Sequence, residues 1–127
     1  MKRWAADKAA GRLGEDLACR YLQDHGFTIV ARNYRARSGV AEIDLVGWDG
    51  PVLAFIEVKS RATEEYGTPD RAVDREKQRH LMRAAREYTR RADIDWERVR
   101  FDIVSVVFEH PPRIVHFPDA FSARRSL

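Results

Sequence analysis

Two short runs, Glu42-Ile43-Asp44-Leu45-Val46 and Ala54-Phe55-Ile56-Glu57-Val58-Lys59, interleave charged and apolar residues on either side of Trp48-Asp49-Gly50-Pro51. Buried strands rarely carry ionised groups unless those groups are paired or bind a metal. Asp-Gly between alternating apolar runs predicts a tight antiparallel hairpin with Asp49-Gly50 as its turn. Counted back from that turn, Trp48 faces Pro51, Val46 faces Leu53, Asp44 faces Phe55 and Glu42 faces Glu57. Strand alternation then puts Glu42, Asp44, Glu57 and Lys59 on one face, and Ile43, Leu45, Ala54, Ile56 and Val58 on the other. Asp44 becomes a diagonal neighbour of Glu57 at roughly 7–8 Å, within side-chain reach of a shared cation.

Carboxylates this close repel, so a positive group must compensate. A hard cation such as Mg²⁺ takes oxygen ligands, typically one or two carboxylates together with waters and substrate phosphates. Asp44 and Glu57 supply carboxylates, and the Val58 carbonyl is a candidate third oxygen. Lys59, two positions beyond Glu57, is placed to position the attacking water and to stabilise charge on a phosphate. The competing reading is an ion-pair network in which Lys59 neutralises Glu57 and Glu42 with no metal.

The surrounding residues carry a resemblance. Gly14-Glu15, Ala41-Glu42-Ile43-Asp44-Leu45-Val46, Phe55-Ile56-Glu57-Val58-Lys59-Ser60-Arg61, Gly67, Lys77 and Arg100-Phe101-Asp102 follow in this order. The set resembles the YraN-like family of uncharacterised bacterial proteins, from about Ala9 to about Phe117. That family is similar to restriction endonucleases and archaeal Holliday-junction resolvases in its PD-(D/E)-x-K nuclease core. The chain departs from the family pattern at Ala41, where the family usually has Gly.

The resemblance implies a restriction-endonuclease-like α/β fold, with a central mixed, largely antiparallel sheet flanked by helices. It also implies Mg²⁺- or Mn²⁺-dependent hydrolysis of DNA phosphodiesters, with branched or recombination and repair DNA as the candidate substrate. Asp44, Glu57 and Lys59 take the nuclease-core roles and Glu15 is the helix acid that completes the site. Two other readings stay open: a non-catalytic nucleic-acid-binding module, and a protein-interaction domain whose charged hairpin is only an ion-pair network.

A chain of 127 residues suits one domain, expected over residues 1–119 with a short loose tail from Ala120. No apolar stretch is long enough to span a bilayer and the first residues lack the apolar core of a signal peptide, so a cytoplasmic location is expected. Cys19 is the sole cysteine, which excludes an internal disulfide and a cysteine-rich zinc site. Glycine-rich phosphate loops and nucleophile elbows are absent, and His25, His80, His110 and His116 are scattered without metal-ligand spacing.

The net charge is only +3, and its distribution says more. Arg71 to Arg91 holds eight basic residues against three acids, whereas Ala41 to Lys59 holds four acids against one lysine. An acidic pocket beside a basic surface suits metal-assisted cleavage of a polyanion. Arg71, Arg75, Arg79 and Arg83 are therefore candidates for backbone phosphates, with Lys77 nearer the site. A solvated helix face is the plainer alternative. Symmetric cutting of a junction would call for a homodimer.

The coarse elements follow from periodicity. Ala6, Ala10, Leu13, Leu17 and Tyr21 predict a helix from about Trp4 to His25 ending at Gly26, with Glu15 on the flank of the stripe beside Gly11, Ala18 and Leu22. Phe27 to Tyr34 reads as a strand, Ser60 to Tyr66 as a candidate flap, and Thr68-Pro69 as a helix start leading to about Arg91. On that helix Val73, Lys77, Leu81, Ala84 and Tyr88 share a stripe. A lysine there either snorkels to water or reaches back to the carboxylates. Val99 to Phe108 and Arg113 to Phe117 read as strands. Trp48, beside the turn, is compatible with packing or with stacking on an unpaired base.

Overall fold

The structure, a computed structural model, describes residues 2–37, 39, 41–62 and 71–122, with residues 2–10 described by backbone alone. Helix α1 (Lys2–Asp24) leads into β1 (Thr28–Arg35), β2 (Glu42–Asp49) and β3 (Val52–Arg61). Helix α2 (Arg75–Ala92) and a single 3₁₀ turn at Trp96–Arg98 return the chain to β4 (Val99–Val107) and β5 (Arg113–Phe121). The five strands lie in sequence order. Only β3 and β4 run parallel, because α2 carries the chain back across the sheet between them, and the other three pairs are antiparallel.

The two sheet faces carry separate cores. On one, Ile43, Val46, Leu53, Phe55, Phe101 and Ile103 pack with Leu81, Ala84 and Ala85 of α2. On the other, Leu45, Ala54, Ile56, Val104 and Val106 pack with Ala18, Cys19 and Leu22 of α1. This is the mixed, largely antiparallel α/β architecture of the restriction-endonuclease-like type.

Several expectations are shifted. The tip of the hairpin is Gly50-Pro51, with Asp49 opposite Val52, Val46 opposite Phe55 and Leu45 opposite Ile56. The pairing is thus two residues away from the predicted one. Gly50 adopts φ 59°, which a glycine reaches without steric cost, and Pro51, which has no N–H to give to a ladder, stays in the turn. An even shift preserves strand faces and moves Asp44 from a diagonal position to one directly ahead of Glu57.

On α1 the buried side is Gly14, Ala18, Cys19 and Leu22, while Leu13 stands 51% exposed. The helix is therefore rotated from the predicted Leu13/Leu17/Tyr21 stripe. Close approach decides this, since a Cβ on Gly14 would lie 1.9 Å from Ser60 Oγ. Small residues let α1 lie against β3, and the larger ones are left at the sides.

Helix α2 begins later than Thr68-Pro69, residues that lie outside the described ones along with Gly67 and the 63–66 part of the expected flap. Asp74 caps it, its side chain accepting from Lys77 N at 2.8 Å. Ser60 and Arg61 belong to β3, and β5 continues through Phe121, which is buried and stacks on Phe101 at 5.0 Å. The stretch from Ala120 thus begins as strand. Trp48 packs against the α2-side core, not in open solvent.

Candidate active site at the split between β2 and β3

The β2–β3 pairing stops at Leu45 and Ile56. Beyond that point the two strands part, and Asp44 turns its carboxylate into the gap, where Oδ2 accepts from Val58 N at 2.7 Å. A side chain thus takes the N–H that the next ladder bond would have used. The N–H and C=O of one residue leave the same edge of a strand, so the Val58 carbonyl faces this gap as well. Where β3 has parted from it, though β1 still pairs with Ile43 and Glu42, the alternation of β2 lapses. Ile43 joins the α2-side core with Val46, instead of following Leu45 to the α1 side.

The four charged residues consequently do not share one face as predicted. Glu57, only 6% exposed, forms an ion pair with the Lys77 ammonium from α2. Lys59 donates to the Ala72 carbonyl just before that helix. Glu42 bridges to Arg35 of β1 at 2.9 Å, directly beside it in the ladder, so it is not the partner of Glu57. Asp44 lies between the layers and is hydrogen-bonded to Glu57.

A cavity of about 410 Å³ opens at the split, lined by Gly11, Glu15, Asp44, Val58, Ser60, Arg61, Ala62 and Phe108. Glu15 reaches it because α1 is rotated toward Gly14 and Ala18. Its pKa is raised, chiefly by burial, against the lowering effect of its hydrogen bond with Asn33 and of Arg32. Asp44 is pushed up to about 8 by burial first, then by its hydrogen bond with Glu57 and the charge there; Val58 N opposes the shift. Burial and Glu57 thus favour the protonated form of Asp44, while Lys77 compensates Glu57. Burial works against the Lys77 charge, but Glu57 and Asp44 outweigh it and raise its pKa.

Asp44, Val58 and Glu15 thus line one cavity, Asp44 meets Glu57 and Lys77 pairs with Glu57, while Lys59 is turned toward Ala72. Arg71, Arg75, Arg79 and Arg83 are exposed and do not line this cavity. As the side chains stand, no three histidine, cysteine, aspartate or glutamate residues among the described ones are gathered into a metal-binding group.

Two groups that the sequence named without a role take part. Arg61, the end of the run over residues 55–61, contributes to the cavity wall. Asp102, fully buried on β4, accepts from Arg100 Nε at 2.8 Å and from the Asp119 amide at 3.0 Å, and meets His116 Nε2 at 2.8 Å. Arg100 also reaches Asp49 at the hairpin tip. Burial raises the pKa of Asp102, but these hydrogen bonds outweigh it and hold the carboxyl below its usual range.

Fold and site together define a restriction-endonuclease-like α/β domain with an acidic cleft where two strands part. Residues 14–106 match the Uncharacterised protein family UPF0102, and the chain belongs to that family. A UPF0102 protein of Solibacter usitatus is 58% identical over 111 residues, covering 87% of this chain and 84% of the relative. A UPF0102 protein of Rhodococcus opacus is 45% identical over 119 residues, covering 92% and 99%. One from Persephonella marina is 38% identical over 111 residues, covering 87% and 91%. Among the described residues no helix is long and apolar enough to cross a membrane.

Proposed function

We propose that this chain is a divalent-metal-dependent phosphodiesterase acting on DNA. The observation that carries the reading is the Asp44–Glu57 pair. Two carboxyl groups from parting strands come within hydrogen-bonding distance, and burial and their mutual interaction raise Asp44 to about 8. Two carboxylates with the Val58 carbonyl make a hard oxygen donor set of the kind Mg²⁺ or Mn²⁺ takes, and a cation held there would relieve that electrostatic condition. When bound, the cation supplies Lewis acidity and neutralises charge at the phosphate.

The chain's own groups divide the remaining work. Asp44 and Glu57 would hold the cation, and Val58 N keeps Asp44 oriented. Glu15, in the same cavity, orients the attacking water or contributes to a second cation. Lys77, which stands against Glu57, would offer its ammonium to phosphate oxygens. Lys59 serves the same end once it leaves the Ala72 carbonyl.

A second reading has its own support. The Lys77–Glu57 ion pair already neutralises the more buried acid, as a non-catalytic nucleic-acid-binding module would require. Incubation with duplex, single-stranded, flap and four-way-junction DNA in Mg²⁺ or Mn²⁺ separates the two. The nuclease reading expects cleavage that disappears in Glu57→Ala and in Lys59→Ala. Binding with no metal-dependent cleavage would leave the module.

A further inference from the structure

We propose that the outer face of α2 is a second anion-binding surface, a rail of arginines that takes the phosphate backbone of a duplex segment other than the one at the Asp44 cleft. At 100° per residue, Arg75, Arg79, Arg83, Arg86 and Arg90 fall within an arc of roughly 80° and rise over about 22 Å of helix. All five are exposed. The arc lies opposite Leu81, Ala84, Ala85 and Tyr88, which face the sheet.

No acid shares the arc. Glu76 and Glu87 lie on its flank, and Glu87 is engaged by the Tyr34 hydroxyl at 2.6 Å and by the Arg37 amide at 3.0 Å. Like charges three or four residues apart on a helix repel, and the two flanking acids offset the five arginines only in part, so the row favours a polyanion along it. Its far end is shaped as well as charged. Met82, Arg83, Arg86, Glu87 and Arg90 line a shallow hollow of about 400 Å³, and the Arg86 guanidinium stacks on Trp96 with 4.2 Å to the ring centroid. A duplex presents one phosphate per about 1.7 Å of axis, so the rail's length spans enough of them to engage every arginine.

The rail is not the substrate wall of the cleft. The cavity is bounded by Gly11 and Glu15 of α1, whereas the rail points outward from α2, with the sheet and the body of α2 between them. A phosphate at Asp44 and a backbone on the rail therefore belong to different stretches of nucleic acid. That the anion is DNA rests on the proposed function; that an anion is bound there rests on the arginine row.

The test measures binding to a short labelled DNA duplex by fluorescence anisotropy in chelator, without divalent metal, between about 50 and 200 mM salt. Arg83→Ala with Arg90→Ala is compared with a charge-matched control, Arg20→Ala with Arg98→Ala, whose residues are exposed and off the rail. Arg86 is spared because it packs on Trp96. The rail variant is expected to bind roughly tenfold more weakly and to lose about two units of the log-affinity against log-salt slope, at about 0.9 per phosphate contact. The control is expected to keep the wild-type slope. An unchanged slope in the rail variant, an equal loss in the control, or no DNA binding by the wild type would overturn the rail. Cleavage is scored separately in Mg²⁺: rail-dependent binding without cleavage supports the rail while removing the nuclease reading, and cleavage with no rail dependence does the reverse.

Discussion

Asp44→Asn is expected to stabilise the protein in alkali and to do little in acid. Folded Asp44 titrates at about 8 against a reference of 3.8. Between those values the folded state binds a proton that the unfolded state has lost, so stability falls as pH rises through the window. Each unit is worth about 1.36 kcal/mol, which sets a ceiling of about 6 kcal/mol for an isolated group. Shared with Glu57 and offset by Lys77, about half of that, or about 3 kcal/mol, is the expected cost by pH 8.

Asparagine reproduces the protonated carboxyl: its oxygen accepts from Val58 N and its amide donates to Glu57. The variant therefore escapes the cost. Thermal melts of both proteins from about pH 3.5 to pH 8 should nearly coincide at the acid end, below the reference value of 3.8. By pH 8 the variant should melt about 10 °C higher, a chain of this size moving a few degrees per kcal/mol. Parallel curves across the range, or a variant less stable at pH 8, would refute the idea that Asp44 is held protonated by burial and Glu57. Saturating Mg²⁺ should raise the wild-type melting temperature and leave that of Asp44→Asn nearly unchanged.

Gly14→Ala puts a Cβ 1.9 Å from Ser60 Oγ and 3.0 Å from its Cβ. It should cost about 1–3 kcal/mol in urea unfolding, with recovery in the double variant Gly14→Ala/Ser60→Gly; additive losses would show that the contact is not the cause. Asp102→Asn should cost about 3 kcal/mol, because it leaves the guanidinium of half-buried Arg100 without its main partner. Since Asp102 titrates below its usual range, its stabilising effect is present above about pH 4 and is lost as pH falls through the folded value. The gap from wild type should narrow in acid, and a gap independent of pH would count against the ion-pair account.

Much of the site was legible because its signals are local. Ionised residues inside apolar strand runs mark Asp44 and Glu57, and their alternation with Ile43, Leu45, Ile56 and Val58 marks the strands that carry them. Lys77 was legible as a lysine out of place in an apolar stripe. The register was not, because Asp49-Gly50 and Gly50-Pro51 are both acceptable turns and only the fit of the sheet chooses between them. The rotation of α1 was hidden for a related reason. Leucines at 13 and 17 outweigh Gly14 and Ala18 in any count of apolar residues, yet the smaller pair is what allows the helix to touch β3.

What the sequence determined by itself was therefore the elements and the chemistry: two helices, strands of mixed character, an acidic hairpin and an arginine-rich helix. These depend on residue types at short spacing. The tertiary structure decided where β2 and β3 part, that Asp44 meets Glu57 across the split, that Lys77 faces Glu57, and that the arginines of α2 face away from both. Each of those outcomes depends on how layers pack across the sheet, where one missing Cβ or one absent ladder partner turns a side chain toward a cavity or away from it.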